Sequence, residues 1–134
     1  MYLKQMKKIL IADDKATSRE LLRTVLERQG YAITEAADGE EALQKALAES
    51  PDLILLDLQM PRRTGYEVLG ELRKDPRHAE LPIIALTASA MQGDREKALA
   101  AGFTGYMAKP VPLVHLREEV HRLLQGNSGH GENG

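Results

Sequence analysis

The stretch "LILLDLQMP", Leu53 to Pro61, decides the fold. Four consecutive aliphatic residues, Leu53-Ile54-Leu55-Leu56, show no polar alternation, so both faces of the segment are covered, as in a parallel sheet flanked by helices. The run then ends on an acid, Asp57, and closes on Met60-Pro61. A charge at the tip of a buried strand has to be explained by what surrounds it.

Working outward, apolar runs alternate with amphipathic stretches. Upstream, Ile9 to Ala12 reads as a buried strand, and Thr17 to Gln29 as a helix with Leu22, Val25 and Leu26 on one face, stopped by Gly30. Tyr31 to Ala36 is a weaker strand, and Asp38 to Glu49 a helix ended by Ser50-Pro51. Downstream come a helix over Gly65 to Lys74, a strand over Pro82 to Thr87, and an alanine-rich helix over Met91 to Ala101 closed by Gly102. A strand over Gly105 to Ala108 and a helix over Pro112 to Leu124 complete the series, the last carrying Leu113, Leu116, Val120 and Leu123 at helical spacing. Five strand–helix units with short links predict right-handed crossovers and an α/β fold with helices on both faces of a doubly wound five-stranded parallel sheet.

The chain of 134 residues is the size of one domain. Residues 7–125 are expected to form it, with 1–6 as an N-terminal extension and the glycine-rich 126–134 as a loose tail. Eighteen Lys and Arg against twenty Asp and Glu give a formal charge of −2, no field favouring nucleic acid or an anionic membrane. Cysteine is absent, which removes disulfides, thiolate zinc sites and cysteine nucleophiles and is consistent with a cytoplasmic location. Ile9 to Ala12 is too short for a signal peptide or a membrane span.

Ligands of open parallel sheets bind beyond the carboxyl ends of the strands. Here those ends carry Asp13-Asp14, Asp57, Thr87 and Lys109-Pro110. Taken singly, each has an ordinary reading: an aspartate after a strand is commonly a turn former or cap, Thr17 or Ser18 being the expected cap of the following helix, and Thr87 and Lys109 would pass as a strand and a loop residue. Their convergence on one edge alters that balance. Three carboxylates gathered there repel by roughly 3–4 kcal/mol per pair at about 5 Å and an effective dielectric near 20. Lys109 plus one divalent cation would cancel them. Oxygen ligands without His or Cys suit Mg²⁺ rather than zinc or copper.

With "ILIADD", "LLDLQMP", "PIIALTA" and "GYMAKP" in this order, the chain resembles the receiver domain of two-component response regulators, including the single-domain chemotaxis and cell-cycle type, from about Lys7 to Leu124. The resemblance implies a flavodoxin-like sheet of order 2-1-3-4-5. It implies Asp57 as phosphoacceptor from a phosphohistidine, and Asp14, Asp57 and the main-chain carbonyl of Gln59 as direct Mg²⁺ ligands, with Asp13 acting through water. It implies Lys109 as partner of the acceptor and of the phosphoryl group, Thr87 as the hydroxyl that bonds a phosphoryl oxygen, Tyr106 as the aromatic switch, and a cis Lys109-Pro110 bond. Residue by residue, Tyr106 alone would be a half-buried ring with a wet hydroxyl.

The partners implied are a histidine kinase or histidine phosphotransfer protein as donor, and a protein effector docking on the face of the fourth helix, fifth strand and fifth helix. Direct contact with nucleic acid or membrane is not expected, since no recognition helix follows Gln125. The chain is expected to catalyse only its own phosphorylation and dephosphorylation. Two rivals remain: a Mg²⁺-dependent aspartyl-phosphate phosphatase, which would want an acid where Gln59 stands, and a phosphorylation-independent interaction module. Arg62-Arg63 read either as solvated loop residues or as an attractor for an acidic donor, and His78, His115, His121 and His130 as surface residues.

Overall fold

The computed structural model describes residues 6–129. Residues 1–5 of the expected extension, and residues 130–134 of the expected tail with His130, lie outside the described residues. Five strands alternate with five helices: β1 Lys8–Ala12, α1 Ala16–Glu27, β2 Ala32–Ala36, α2 Gly39–Glu49, β3 Leu53–Asp57, α3 Gly65–Arg73, β4 Ile83–Thr87, α4 Asp94–Ala101, β5 Gly105–Ala108 and α5 Leu113–Gly129, with a short 3-10 turn at Pro76–His78. All strand pairs are parallel, in the order β2-β1-β3-β4-β5. This is the expected flavodoxin-like arrangement.

The absence of polar alternation in β3 has the cause inferred for it. Leu53 and Leu55 face a core completed by Leu22, Leu26, Leu116 and Val120 of α1 and α5. Ile54 and Leu56 face the other core, with Val68, Leu69 and Leu72 of α3 and Ala42 and Ala46 of α2. Each strand residue is buried, Asp57 included. The starts of α2 and α3 are fixed by side-chain caps: Asp38 accepts from the Glu41 amide at 2.8 Å, and Thr64 forms a reciprocal capping box with Glu67.

Element ends shift from expectation where local chemistry intervenes. Helix α1 starts at Ala16 after Lys15, whose side chain does not cap it, so neither Thr17 nor Ser18 is the cap. Helix α4 begins at Asp94 rather than Met91, because Gly93 adopts φ 89° and the Met91 amide donates to Asp94 Oδ2 at 2.8 Å, making 91–93 a turn. Helix α5 continues to Gly129, so the first four residues of the expected tail are helical. His78, expected at the surface, is 5% exposed, tucked under the turn capped by Asp75.

Gly65 places the first turn of α3 against the tip of β3. A methyl group there would lie 2.6 Å from the Asp57 carbonyl oxygen and 2.9 Å from Leu58 Cα, both backbone atoms that cannot step aside. Gly65→Ala is therefore expected to cost about 2–3 kcal/mol in urea unfolding, because the Gly65 amide bond to the Leu58 carbonyl must stretch as α3 is pushed away. A loss under about 0.5 kcal/mol would mean that α3 moves freely.

Candidate functional site

The carboxyl ends of β1, β3 and β5 meet in one place. Carboxylate oxygens of Asp13, Asp14 and Asp57 lie within 4.8 Å of one another. Asp13 and Asp57 are buried while Asp14 is exposed, so the cluster has a buried floor and one acid at its mouth. Lys109, at the end of β5, bridges the two buried acids: its Nζ is 2.6 Å from Asp13 Oδ2 and 3.0 Å from Asp57 Oδ2. The Lys109-Pro110 bond is cis.

Backbone amides hold the acids in place. The Lys15 amide donates to Asp13 Oδ1 at 2.9 Å, and the Gln59 amide to Asp57 Oδ1 at 2.9 Å. Each carboxylate thus turns one oxygen to its own loop and the other to Lys109. Burial pushes the Asp57 carboxyl above its ordinary value, against the Gln59 amide and Lys109, which favour the ion. Burial works to lower the Lys109 pKa, but its bonds to Asp13 and Asp57 outweigh that and hold the ammonium charged. Two buried anions and one cation leave a negative excess, to which exposed Asp14 adds.

The donor set fits a hard divalent cation. It offers carboxylate oxygens only, with no imidazole or thiolate among the described cluster. The Gln59 main chain lies beside it, since its amide is bonded to Asp57.

Thr87 ends β4, buried, and its Oγ1 accepts from the Ser89 amide at 3.1 Å. A cavity of about 280 Å³ opens beside it, lined in part by Gln59, Tyr66, Ser89 and Lys97. Tyr106 packs against the α2/α3 core, but its hydroxyl is buried without a hydrogen-bond partner rather than wet. An unpaired buried hydroxyl is a cost. Tyr106→Phe is therefore expected to raise stability by about 1 kcal/mol in urea unfolding; a loss of similar size would mean that the hydroxyl is solvated or bonded.

Arg62 and Arg63 are not free in the loop. Arg62 lies 3.4 Å from Asp38, and Arg63 pairs with Glu40 at 2.7 Å. These acids were not singled out from the sequence. Arg63 and Glu40 meet across 23 residues, which spacing alone does not reveal.

Comparison with known proteins agrees with this geometry. Residues 9–121 match the family model described as "Response regulator receiver domain". The chain is 47% identical over 118 residues to the transcriptional regulatory protein ResD of Bacillus subtilis, covering 88% of this chain and 48% of that protein. It is 36% identical over 118 residues to the polar-differentiation response regulator DivK of Brucella anthropi, covering 88% of this chain and 96% of that one. The chain therefore spans about half the length of some relatives and nearly all of others. Among solved structures, the receiver domain of the sensor histidine kinase PA1611 from Pseudomonas aeruginosa superimposes with a TM-score of 0.82 at 36% identity, over 90% of this chain and 99% of that one, and carries a magnesium ion coordinated in its active-site cleft. No described helix is long and apolar enough to cross a membrane. Sheet order, acid cluster and matched sequence together make this chain a member of the response regulator receiver domain family.

Proposed function

We propose that this receiver domain accepts a phosphoryl group on Asp57 from the phosphohistidine of a histidine kinase or a histidine phosphotransfer protein, with Mg²⁺ as cofactor, and thereby switches a surface that docks a protein effector. The observation that carries it is the lysine-bridged cluster of Asp13, Asp14 and Asp57. Family members are signalling modules rather than turnover enzymes. Accordingly, this chain would act on its own aspartate only.

Asp13, Asp14 and Asp57 would hold the ion, with the Gln59 carbonyl. When bound, Mg²⁺ supplies positive charge for the oxygens of the transferring group. The residues do the rest. The Gln59 amide fixes one Asp57 oxygen, leaving the other beside Lys109 as the nucleophile. That oxygen forms a bond to phosphorus in line as the P–N bond to the donor imidazole breaks, and the electron pair leaves with the imidazole nitrogen. Lys109, already charged, follows the developing phosphoryl charge without needing a proton. Afterwards Asp57 carries about two negative charges in place of one. Thr87 Oγ1, now accepting only from the Ser89 amide, would turn its own proton to a phosphoryl oxygen.

Tyr106 would respond to that turn. Its inward ring, with an orphaned hydroxyl, has a reason to leave the core, which supports a shift between two packings. Its position on β5 between α4 and α5 favours that face as the effector surface. Labelled phosphohistidine donor mixed with this chain in Mg²⁺ tests the proposal: one label per chain should transfer, and no more than one phosphate per label should later be released. Repeated release of phosphate from an added ester would indicate a phosphatase instead. Effector affinity unchanged by phosphodonor would indicate a phosphorylation-independent module.

A further inference from the structure

The end of β2 and the start of α2 give no side chain to the acid cluster, yet both loops that carry the cluster are tied to them. Glu35 accepts from Arg19 Nε at 2.8 Å and from Arg23 at 2.7 Å, and the free arm of Arg19 donates to the Asp13 carbonyl at 2.8 Å. The Asp13 amide itself donates to the Ala36 carbonyl at 3.0 Å. The β1–α1 loop is thus pinned to the tip of β2 through main chain and side chain.

Three residues later the same connection grips the other loop. Asp38 faces Arg62, the Gly39 amide donates to the Pro61 carbonyl at 3.2 Å, and Glu40 pairs with Arg63 at 2.7 Å. Three successive residues meet three successive residues just past Gln59. The approach is so close that a methyl at Gly39 would overlap the Arg63 carbonyl oxygen. These ion pairs are half exposed and contribute little to global stability. Their effect is on where two loops stand relative to each other.

We infer that the Glu35–Glu40 connection is a brace that sets the separation of the two ligand-bearing loops, with Glu35, Gly39 and Glu40 as positioning residues for uptake of the divalent cation. This rests on the metal site of the proposed function. Ligands held at their binding separation before the ion arrives need not be ordered by it, and outer partners that orient ligands govern affinity for that reason.

Charge through space and positioning make opposite demands on Arg63. Removing a cation near a divalent site should tighten Mg²⁺ by electrostatics alone, whereas breaking the brace should loosen it. Titration calorimetry of the full chain with MgCl₂ distinguishes them, beside thermal unfolding in EDTA. Arg63→Met is expected to bind Mg²⁺ about three- to tenfold more weakly, at or below the effect of direct outer partners. Glu40→Gln should loosen similarly, and the swapped pair Glu40→Arg with Arg63→Glu should recover at least half of the loss. Melting in EDTA should hardly change in any of the three. Gly39→Ala should loosen Mg²⁺ further. An Arg63→Met variant that binds as tightly as wild type, or more tightly, overturns the brace while leaving the metal site intact. A wild-type chain that takes up no Mg²⁺ overturns both.

Discussion

Lys109→Met is expected to unfold about 2–3 kcal/mol more readily than wild type in metal-free buffer at neutral pH, and to gain phosphoryl groups about a hundredfold more slowly. The ammonium is the cation within hydrogen-bond reach of both buried acids, at 2.6 Å from Asp13 and 3.0 Å from Asp57. Without it, two carboxylates with almost no exposure are left without their shared cation, and breaking a buried pair costs more than the pair contributed. The same change should tighten Mg²⁺, because a competing positive charge has gone. Tighter Mg²⁺ with slower phosphorylation is a split that general misfolding cannot produce. Urea unfolding in EDTA, Mg²⁺ calorimetry and the rate of phosphorylation measure the three effects; unchanged stability would mean that Lys109 is a spectator.

Asp57→Asn is expected to lose phosphoacceptance altogether and, in EDTA, to become more stable by about 1–2 kcal/mol, or roughly 3–8 °C in melting temperature. Acceptance is lost because an amide offers no nucleophilic carboxylate oxygen, and stability rises because a buried charge is gone. Burial raises the Asp57 pKa above that of an ordinary aspartate, so the folded state holds that proton more tightly than the unfolded chain. The ionised group therefore lowers stability at pH values above its folded pKa. That loss is relieved as pH falls through the folded pKa towards the unfolded value. Asparagine, isosteric and neutral, buries no charge at any pH. The stability gap between variant and wild type should be widest at neutral pH and close on acidification; a gap that widens towards low pH would reverse the sign and refute the assignment.

Much of this was legible in the sequence because the relevant signals are local. The unbroken Leu53–Leu56 run encodes a strand covered on both faces, and the acids fall immediately after strands, where a parallel sheet must deliver them to one edge. Asp13, Asp14, Asp57 and Lys109 meet as their positions implied. What stayed hidden depends on side-chain direction or on contacts distant in sequence. His78 is polar, yet the Asp75-capped turn folds it inward. Tyr106 could have turned either way, and it places its hydroxyl inside. Arg62 and Arg63 read as loop charges until α2 brings Asp38 and Glu40 against them. At α4, Met91 belongs to a turn because Gly93 interrupts the helical backbone.

Intact-mass measurement after incubation with acetyl phosphate, with and without Mg²⁺, reaches the central claim most directly, since it asks whether the acid cluster both needs a cation and spends Asp57 as nucleophile. The expected result is a gain of about 80 Da, one phosphoryl group, that requires Mg²⁺, is lost in mild base as an acyl phosphate is, and is absent from Asp57→Asn. A gain that persists in Asp57→Asn, or that is as fast in EDTA as in Mg²⁺, would contradict it.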